Sequence, residues 1–289
     1  MDGAMRTRLE RLLGSGVVAA QSLGGGHGVL HYRLTLSGGP SAFAKIQDQD
    51  PSGNEHDWIA AEEHGLSWLG EAGAAPVPAV LASDPACLVT DWIDTGRPAA
   101  GAATTFGREL ARLHATGAGS FGAPWRGVIA GLLLPNDEAD SWPDWYAENR
   151  LLPYVRIASD AGTLTSADAR LIEAAAARSI DLAGPPEPPS RIHGDCWSGN
   201  VLWSAGRGWL IDPAAHGGHR ESDLAMLALF GAPLLDQILA SYAETVPLAD
   251  GWQTRIPLHQ LHPLLVHVCL FGGSYREAAV SAARAVLAG

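Results

Sequence analysis

His193-Gly194-Asp195-Cys196-Trp197-Ser198-Gly199-Asn200 is followed, twelve positions beyond Asn200, by Asp212 within Ile211-Asp212-Pro213. An acid, an amide five residues on and a second acid across a short connection suit phosphoryl transfer, which needs a base and oxygen ligands for hard cations. Asp195 can orient a hydroxyl and accept its proton. The side-chain oxygen of Asn200 can hold a cation without adding charge, and Asp212 can hold cations that bridge nucleotide phosphates. Val201-Leu202-Trp203, Ser204 to Gly208 and Trp209-Leu210-Ile211 read as strand, glycine-bearing turn and strand, a hairpin that returns Asp212 to Asn200.

Two other readings compete. His193 with Cys196, and His216 with His219, have spacings that zinc ligands use. A zinc site, however, leaves Asp195, Asn200 and Asp212 without a role. Asp195 and Asn200 could also be plain turn residues, a reading that does not predict the kinase-like parts found elsewhere in the chain.

Upstream, Arg6 to Leu13 read as a short helix and Val17 to Leu23 as a strand. Gly24-Gly25-Gly26-His27-Gly28 then form a glycine-rich turn before a second strand, Val29 to Leu36, with period-two alternation. Without side chains, Gly25 and Gly26 let the backbone approach phosphate. A third strand, Ala42 to Gln47, carries Lys45. A glycine turn between strands one and two and a lysine on strand three are how a kinase N-lobe covers ATP. Pro51-Ser52-Gly53-Asn54 caps a helix running to about Gly70. On that helix Trp58, Glu62, Leu66 and Leu69 share one stripe, whereas Glu63 points roughly 100° away. A carboxylate on an inward face needs a partner, so Glu62 is paired with Lys45. Glu55 is the alternative.

Cys87 to Ile93 reads as a strand entering the lobe connection, where backbone groups of Val89, Thr90 and Asp91 would meet an adenine edge. Phe106 to His114 is an amphipathic helix, and His114 is expected at a helix end or in the core. Trp125, Trp142, Trp145 and Tyr146 lie in a Gly- and Pro-bearing insert that either lines a polyol pocket or simply packs. Ser166 to about Leu182 is read as a helix, opened by Thr165 and Asp168 as a cap. Glu221 to Phe230, Leu234 to Thr245 and Ile256 to Leu287 are the closing helices. Glu221 and Asp223 either orient the catalytic loop or the substrate amine, or are first-turn acids favoured by the helix dipole.

The chain has 289 residues, 47% of them hydrophobic, which is enough for two lobes with ample core. A net charge of −12 gives no basic nucleic-acid surface. Three widely spaced cysteines, Cys87, Cys196 and Cys269, argue against a disulfide framework and fit a reducing cytoplasm. The apolar stretches are too short or too interrupted to span a bilayer, and the N-terminus has no signal-peptide core.

The run from His193 to Asn200, then Asp212-Pro213-Ala214 and His219-Arg220-Glu221-Ser222-Asp223-Leu224-Ala225-Met226, resembles the fructosamine kinase (ketosamine-3-kinase) family, within the aminoglycoside phosphotransferase and choline kinase group. Phe121-Gly122 and Trp142 to Arg150 are similar as well. The resemblance implies an α+β, protein-kinase-like fold of two lobes. Residues 1–93 would form an antiparallel sheet plus helix that binds ATP, and residues 94–289 a mainly helical lobe for catalysis and substrate. It implies ATP- and Mg2+-dependent phosphorylation of the 3-hydroxyl of a ketosamine, free or protein-bound. Asp195 would be the base, Asn200 and Asp212 the metal ligands, and Lys45 with Glu62 the phosphate anchor. Trp197, His216 and Glu221 are candidates for the substrate side. Cys196 replaces the aliphatic residue usual in the family. Gly194 and Pro213 stand where a protein kinase has Arg in His-Arg-Asp and Phe in Asp-Phe-Gly, so no phosphorylated activation segment is expected. Kinases for aminoglycosides, choline or other sugars are the rival enzymes. A nucleotide-binding protein without catalysis would lack the base or a ligand, and all are present.

Overall fold

Leu30, Tyr32, Leu34 and Leu36 alternate along one strand, and Tyr32 and Leu34 are buried in the resulting sheet. The computed structural model describes residues 1–26, 28–47 and 57–289. Helix α1 (Gly3–Leu13) precedes β1 (Val17–Gly26), β2 (Val29–Leu36) and β3 (Ser41–Gln47). Helix α2 (Trp58–Glu71), β4 (Val80–Asp84) and β5 (Cys87–Asp91) follow. The five strands form an antiparallel sheet in the order β1-β2-β3-β5-β4. Strand β5 has neighbours on both sides. Its Cys87 and Val89 join the core shared with α1, and Leu88 joins the apolar cluster under α2.

Strand β1 runs on through Gly26, into the stretch expected as a loop. Gly24, Gly25 and Gly26 pair with His31, Leu30 and Val29. A Cβ at Gly25 would run into the Val29 carbonyl, so the close hairpin requires glycine there. The N-cap of α2 is Asp57, whose carboxylate accepts from Ala60 N. The cap expected at Pro51 to Asn54, the alternative partner Glu55, and His27 lie outside the described residues.

Beyond β5 the chain turns mainly helical. It continues through α3 (Ala100–Ala115), the hairpin β6 (Gly127–Ile129) and β7 (Leu132–Leu134), α4 (Trp142–Tyr146), a π-helical turn and α5 (Leu152–Asp160). The helix expected from Ser166 to Leu182 is broken at Arg178 into α6 (Ser166–Ala177) and α7 (Ser179–Leu182), with the Thr165–Asp168 capping box in place. Strand β8 (Ser190–Ile192) precedes the loop from His193 to Trp197. The hairpin β9 (Val201–Ser204) and β10 (Arg207–Leu210) and strand β11 (His216–Gly218) follow it. Helices α8 (Glu221–Leu229), α9 (Leu235–Thr245), α10 (Trp252–Phe271) and α11 (Gly273–Ala288) close the fold.

Helix α10 contains Pro257 and Pro263. Pro263 has no N–H for the His259 carbonyl, and the Tyr146 hydroxyl donates to that carbonyl at 3.2 Å and to Leu258 O at 2.8 Å. Trp142, Trp145 and Tyr146 are thus buried in the α10–α11 core and do not line the large cleft. Trp125 bridges the lobes by stacking on His64 and meeting Trp68 edge-on. Among the described residues, no helix is long and apolar enough to cross a membrane.

Candidate active site

Strand β3 and helix α2 meet at one cation. Lys45 Nζ donates to both Glu62 oxygens at 2.8 Å and to Asp212 Oδ1 at 2.7 Å. Burial works against the Lys45 charge, but Glu62 and Asp212 outweigh it and push Lys45 up to about 12. One cation cannot balance two carboxylates. Burial, with Asp212 adding to it against Lys45, pushes Glu62 up to about 7. Gly65 lets α2 settle on the Asp212 loop, since a Cβ there would sit 3.1 Å from the Pro213 ring. Asp212 has φ +53°, a left-handed conformation that a non-glycine residue holds only when its surroundings impose it.

The loop that carries Asp195 is braced from below. Asp223 accepts from the backbone N–H of His193 at 2.8 Å and of Gly194 at 2.9 Å, and is 3.1 Å from His114 Nε2. His193 Nε2 donates to Ile211 O at 2.9 Å, and its Nδ1 accepts from Asp195 N at 3.3 Å. Gly194 has φ +79°, and a Cβ there would strike the Ala214 carbonyl. The Asn200 amide nitrogen donates to Asp195 O at 2.9 Å, Asp195 Oδ2 at 2.8 Å and Asp212 O at 3.4 Å. With its nitrogen so engaged, Asn200 has its oxygen left for a cation. Burial pushes the Asp195 carboxyl up to about 7. The Asn200 hydrogen bond opposes this, and the charges of Asp212 and Asp223 add to it.

Lys45, Glu62, Asp195, Asn200, Asp212, Trp197 and Gly26 all line one cleft of about 800 Å3. A second cavity, about 230 Å3, opens off Glu62 and Asp212 and is lined by Phe43, Leu66, Thr90, Asp91, Trp92 and Ile93. It is apolar enough for a nucleobase. Thr90 and Asp91 reach it; Val89 does not. Val89 is fully buried, paired with Ala44 on one side and Ala82 on the other, so its backbone belongs to the sheet. The lining of this cavity therefore begins at Thr90, one residue later than the sequence suggests.

The substrate candidates separate. Trp197 is 40% exposed on the cleft wall, edge-on to Phe230 and packed over Gly199. His216 is buried behind the loop, with Nδ1 bonded to Ala214 O at 2.8 Å, and burial, then Arg150, holds it neutral. Glu221 is 1% exposed and gripped by Arg255 at 2.5 and 2.8 Å. Neither reaches the cleft.

The four residues of the zinc reading do not converge. Cys196 is buried in an apolar core. Among the described residues, His219, Glu221 and His259 are the one His/Cys/Asp/Glu trio within ligand reach of one another, and Glu221 is already neutralised by Arg255. Sequence reasoning left the role of Asp223 open and missed His114 as its partner, since both act from inside the core. It also missed the cleft wall of Pro263 to Phe271, because apolar residues there read as ordinary core.

A model of the fructosamine kinase family matches residues 1–289. The "Probable ketoamine kinase YniA" of Escherichia coli (strain K12) is 30% identical over 280 residues, 94% of each chain. A crystal structure of a candidate fructosamine-3-kinase from Thermobifida fusca YX-ER1 is 49% identical, covers 100% of both chains and superposes with a TM-score of 0.96. The macrolide 2'-phosphotransferase MphH from Brachybacterium faecium shares the fold at 17% identity and a TM-score of 0.64, over 96% of this chain and 97% of its own.

Proposed function

The chain belongs to the fructosamine kinase family; it is a ketosamine kinase of protein-kinase-like fold, and from that premise we propose that it passes the γ-phosphoryl group of ATP to the sugar 3-hydroxyl with Asp195 as base. The observation that carries the reading is the Asp195 carboxylate itself. It is held by Asn200, is pushed up to about 7, and lines the same cleft as the Lys45–Asp212 pair. A general base works best with a proton affinity near the operating pH.

In this reading Asp195 accepts the proton of the substrate hydroxyl as the hydroxyl oxygen bonds to the γ-phosphorus and the bond from that phosphorus to the β–γ bridging oxygen breaks, releasing ADP. Lys45, fixed by Glu62, takes up phosphate charge. Gly25 and Gly26 bring the β1–β2 hairpin over the phosphates, and Thr90 to Ile93 frame the adenine. We divide the lobes at 93/94, just past β5. Asn200 Oδ1 and Asp212 are the hard oxygen donors that Mg2+ prefers, and the ion when bound would neutralise β- and γ-phosphate charge. The cysteines Cys87, Cys196 and Cys269 are free, as in a cytoplasmic enzyme.

The test is ADP release with ATP, Mg2+ and a synthetic fructosamine, wild type against Asp195→Asn. The variant should lose about 10²–10⁴-fold in kcat and still bind ATP, and 31P NMR of the product should place the phosphate on the 3-hydroxyl. Undiminished turnover by the variant would remove Asp195 from the role of base. Preference for an aminoglycoside or choline in the same assay would replace the substrate.

A further inference from the structure

The large cleft has two chemically different halves. Its nucleotide half carries Lys45, Glu62 and Asp212. The other half is built by the β6–β7 hairpin and by the exit of α10, and it presents Val128, Ile129, Val266, Leu270 and Phe271. Among the described residues lining the acceptor half, no carboxylate accompanies Asp195, and the one titratable side chain besides it is His267. The described chain has two exposed large aromatics, Trp197 at 40% and Phe271 at 55%, and both line this cleft. Apolar aromatic surface left open to water beside a catalytic group marks a binding wall rather than a packing accident. The hairpin tip is itself shaped: Ala130 at φ +48° and Gly131 at φ +85° form a two-residue turn between Ile129 and Leu132.

A ketosamine must present its sugar hydroxyl to Asp195. The substituent on its nitrogen then extends away from the phosphates, into the apolar half. A polycationic acceptor would find no carboxylate there beyond Asp195. His267 Nδ1 donates to Pro263 O at 2.7 Å, which leaves Nε2 as the acceptor the ring can offer the cleft. The ring is held between Phe230 and Tyr275, with centroids at 5.0 and 4.7 Å. Resting on the ketosamine kinase reading, we infer that this enzyme acts on ketosamines of amines with an uncharged, carbon-rich substituent, aryl or branched alkyl. The substituent lies against Leu270 and Phe271, and His267 Nε2 accepts from the substrate's N–H.

The experiment uses the full chain with ATP and Mg2+ on three adducts sharing one fructosyl head, those of benzylamine, 1,6-diaminohexane and glycine. The benzyl adduct should exceed the other two in kcat/KM by about tenfold or more, chiefly through KM, as expected for one apolar group in a matching pocket. Phe271→Asp, at an exposed position that leaves folding intact, should abolish that preference and favour the aminohexyl adduct. His267→Phe should raise KM for all three adducts, and His267→Gln, which keeps an acceptor, should restore most of the loss. Equal kcat/KM across the adducts, or a preference untouched by Phe271→Asp, overturns the inference while leaving the kinase reading intact. No turnover of any adduct by wild type overturns the ketosamine reading itself.

Discussion

The carboxylates facing the cleft and those beneath the catalytic loop are both withdrawn from water, yet their proton affinities part company. Burial pushes Asp195 and Glu62 up to about 7. Burial also works against ionised Glu221, but the hydrogen bonds from Arg255, with His259 close by, hold it down at about 2. Asp223 is likewise held low against its burial by His114 and by the backbone N–H of His193. The lower cluster is charge-balanced and finished. The cleft cluster is short of positive charge, with Lys45 divided between Glu62 and Asp212. Such under-compensation suits the proposed binding of cations and phosphates, whereas a structural brace is compensated within the fold.

The comparison can be broken most forcefully at Asp212. Asp212→Asn removes a proposed metal ligand and halves the carboxylate load on Lys45. Turnover should fall by at least ~10²-fold, as for loss of one transition-state charge contact, while thermal stability holds or rises because Lys45 keeps Glu62. Retained turnover would show that this excess of negative charge serves packing alone.

The lower cluster should answer in the opposite sense. Glu221→Gln strands the Arg255 charge, and Asp223→Ala frees two loop N–H groups and His114. Loss of one partner from a buried pair costs about 3–5 kcal/mol, or roughly 10 °C in Tm for a chain of this size. Thermal unfolding checks both. Glu221→Gln should keep its KM for ketosamine, because Glu221 does not reach the cleft. Asp223→Ala should lose turnover too, since it braces His193 and Gly194. The Glu221 contribution is full above the ordinary glutamate range and is lost as pH falls from about 4.5 towards about 2. A Glu221→Gln variant that melts like wild type at pH 7 would dissolve the contrast.

What could be read from sequence follows the same division. Asp195, Asn200 and Asp212 were legible because one loop and one hairpin fix their spacing, and Glu62 because helical periodicity turns a lone carboxylate inward. Val89 was placed one step too early, since the sequence does not show that β5 has strands on both sides. The glycine run read as a loop because glycine signals flexibility, whereas Gly25 here permits a backbone approach inside a strand pair. The Asp223–His114 brace joins positions 109 residues apart, and no local pattern links them. The apolar cleft wall was invisible for another reason: Val266 and Leu270 fit a buried helix face equally well whether they line a cleft or meet a neighbouring helix.

The smallest expected effect is a gain in stability at Asp195. Its folded proton affinity lies near 7, against 3.8 for an ordinary aspartate. Below about pH 4 the group is protonated in both folded and unfolded chains, and its ionisation has no influence. Between about 4 and 7 the unfolded chain releases the proton and the folded chain keeps it, so stability erodes with rising pH; above 7 the loss is complete and constant. Asp195→Asn keeps an oxygen for the Asn200 amide and removes the ionisation. Its Tm advantage should be absent near pH 4, grow to pH 7 and level off by pH 8, at a few degrees, because Asp195 still reaches cleft water that screens part of the cost. With Asp195 as the proposed base, wild-type kcat/KM should climb with pH through about 7. A variant less stable than wild type at pH 8 would mean that ionised Asp195 is compensated within the fold, and would move it to the balanced side of the comparison. If instead the Tm gain and the rise in kcat/KM track one another across pH, the charge that destabilises the fold is the charge that performs the reaction.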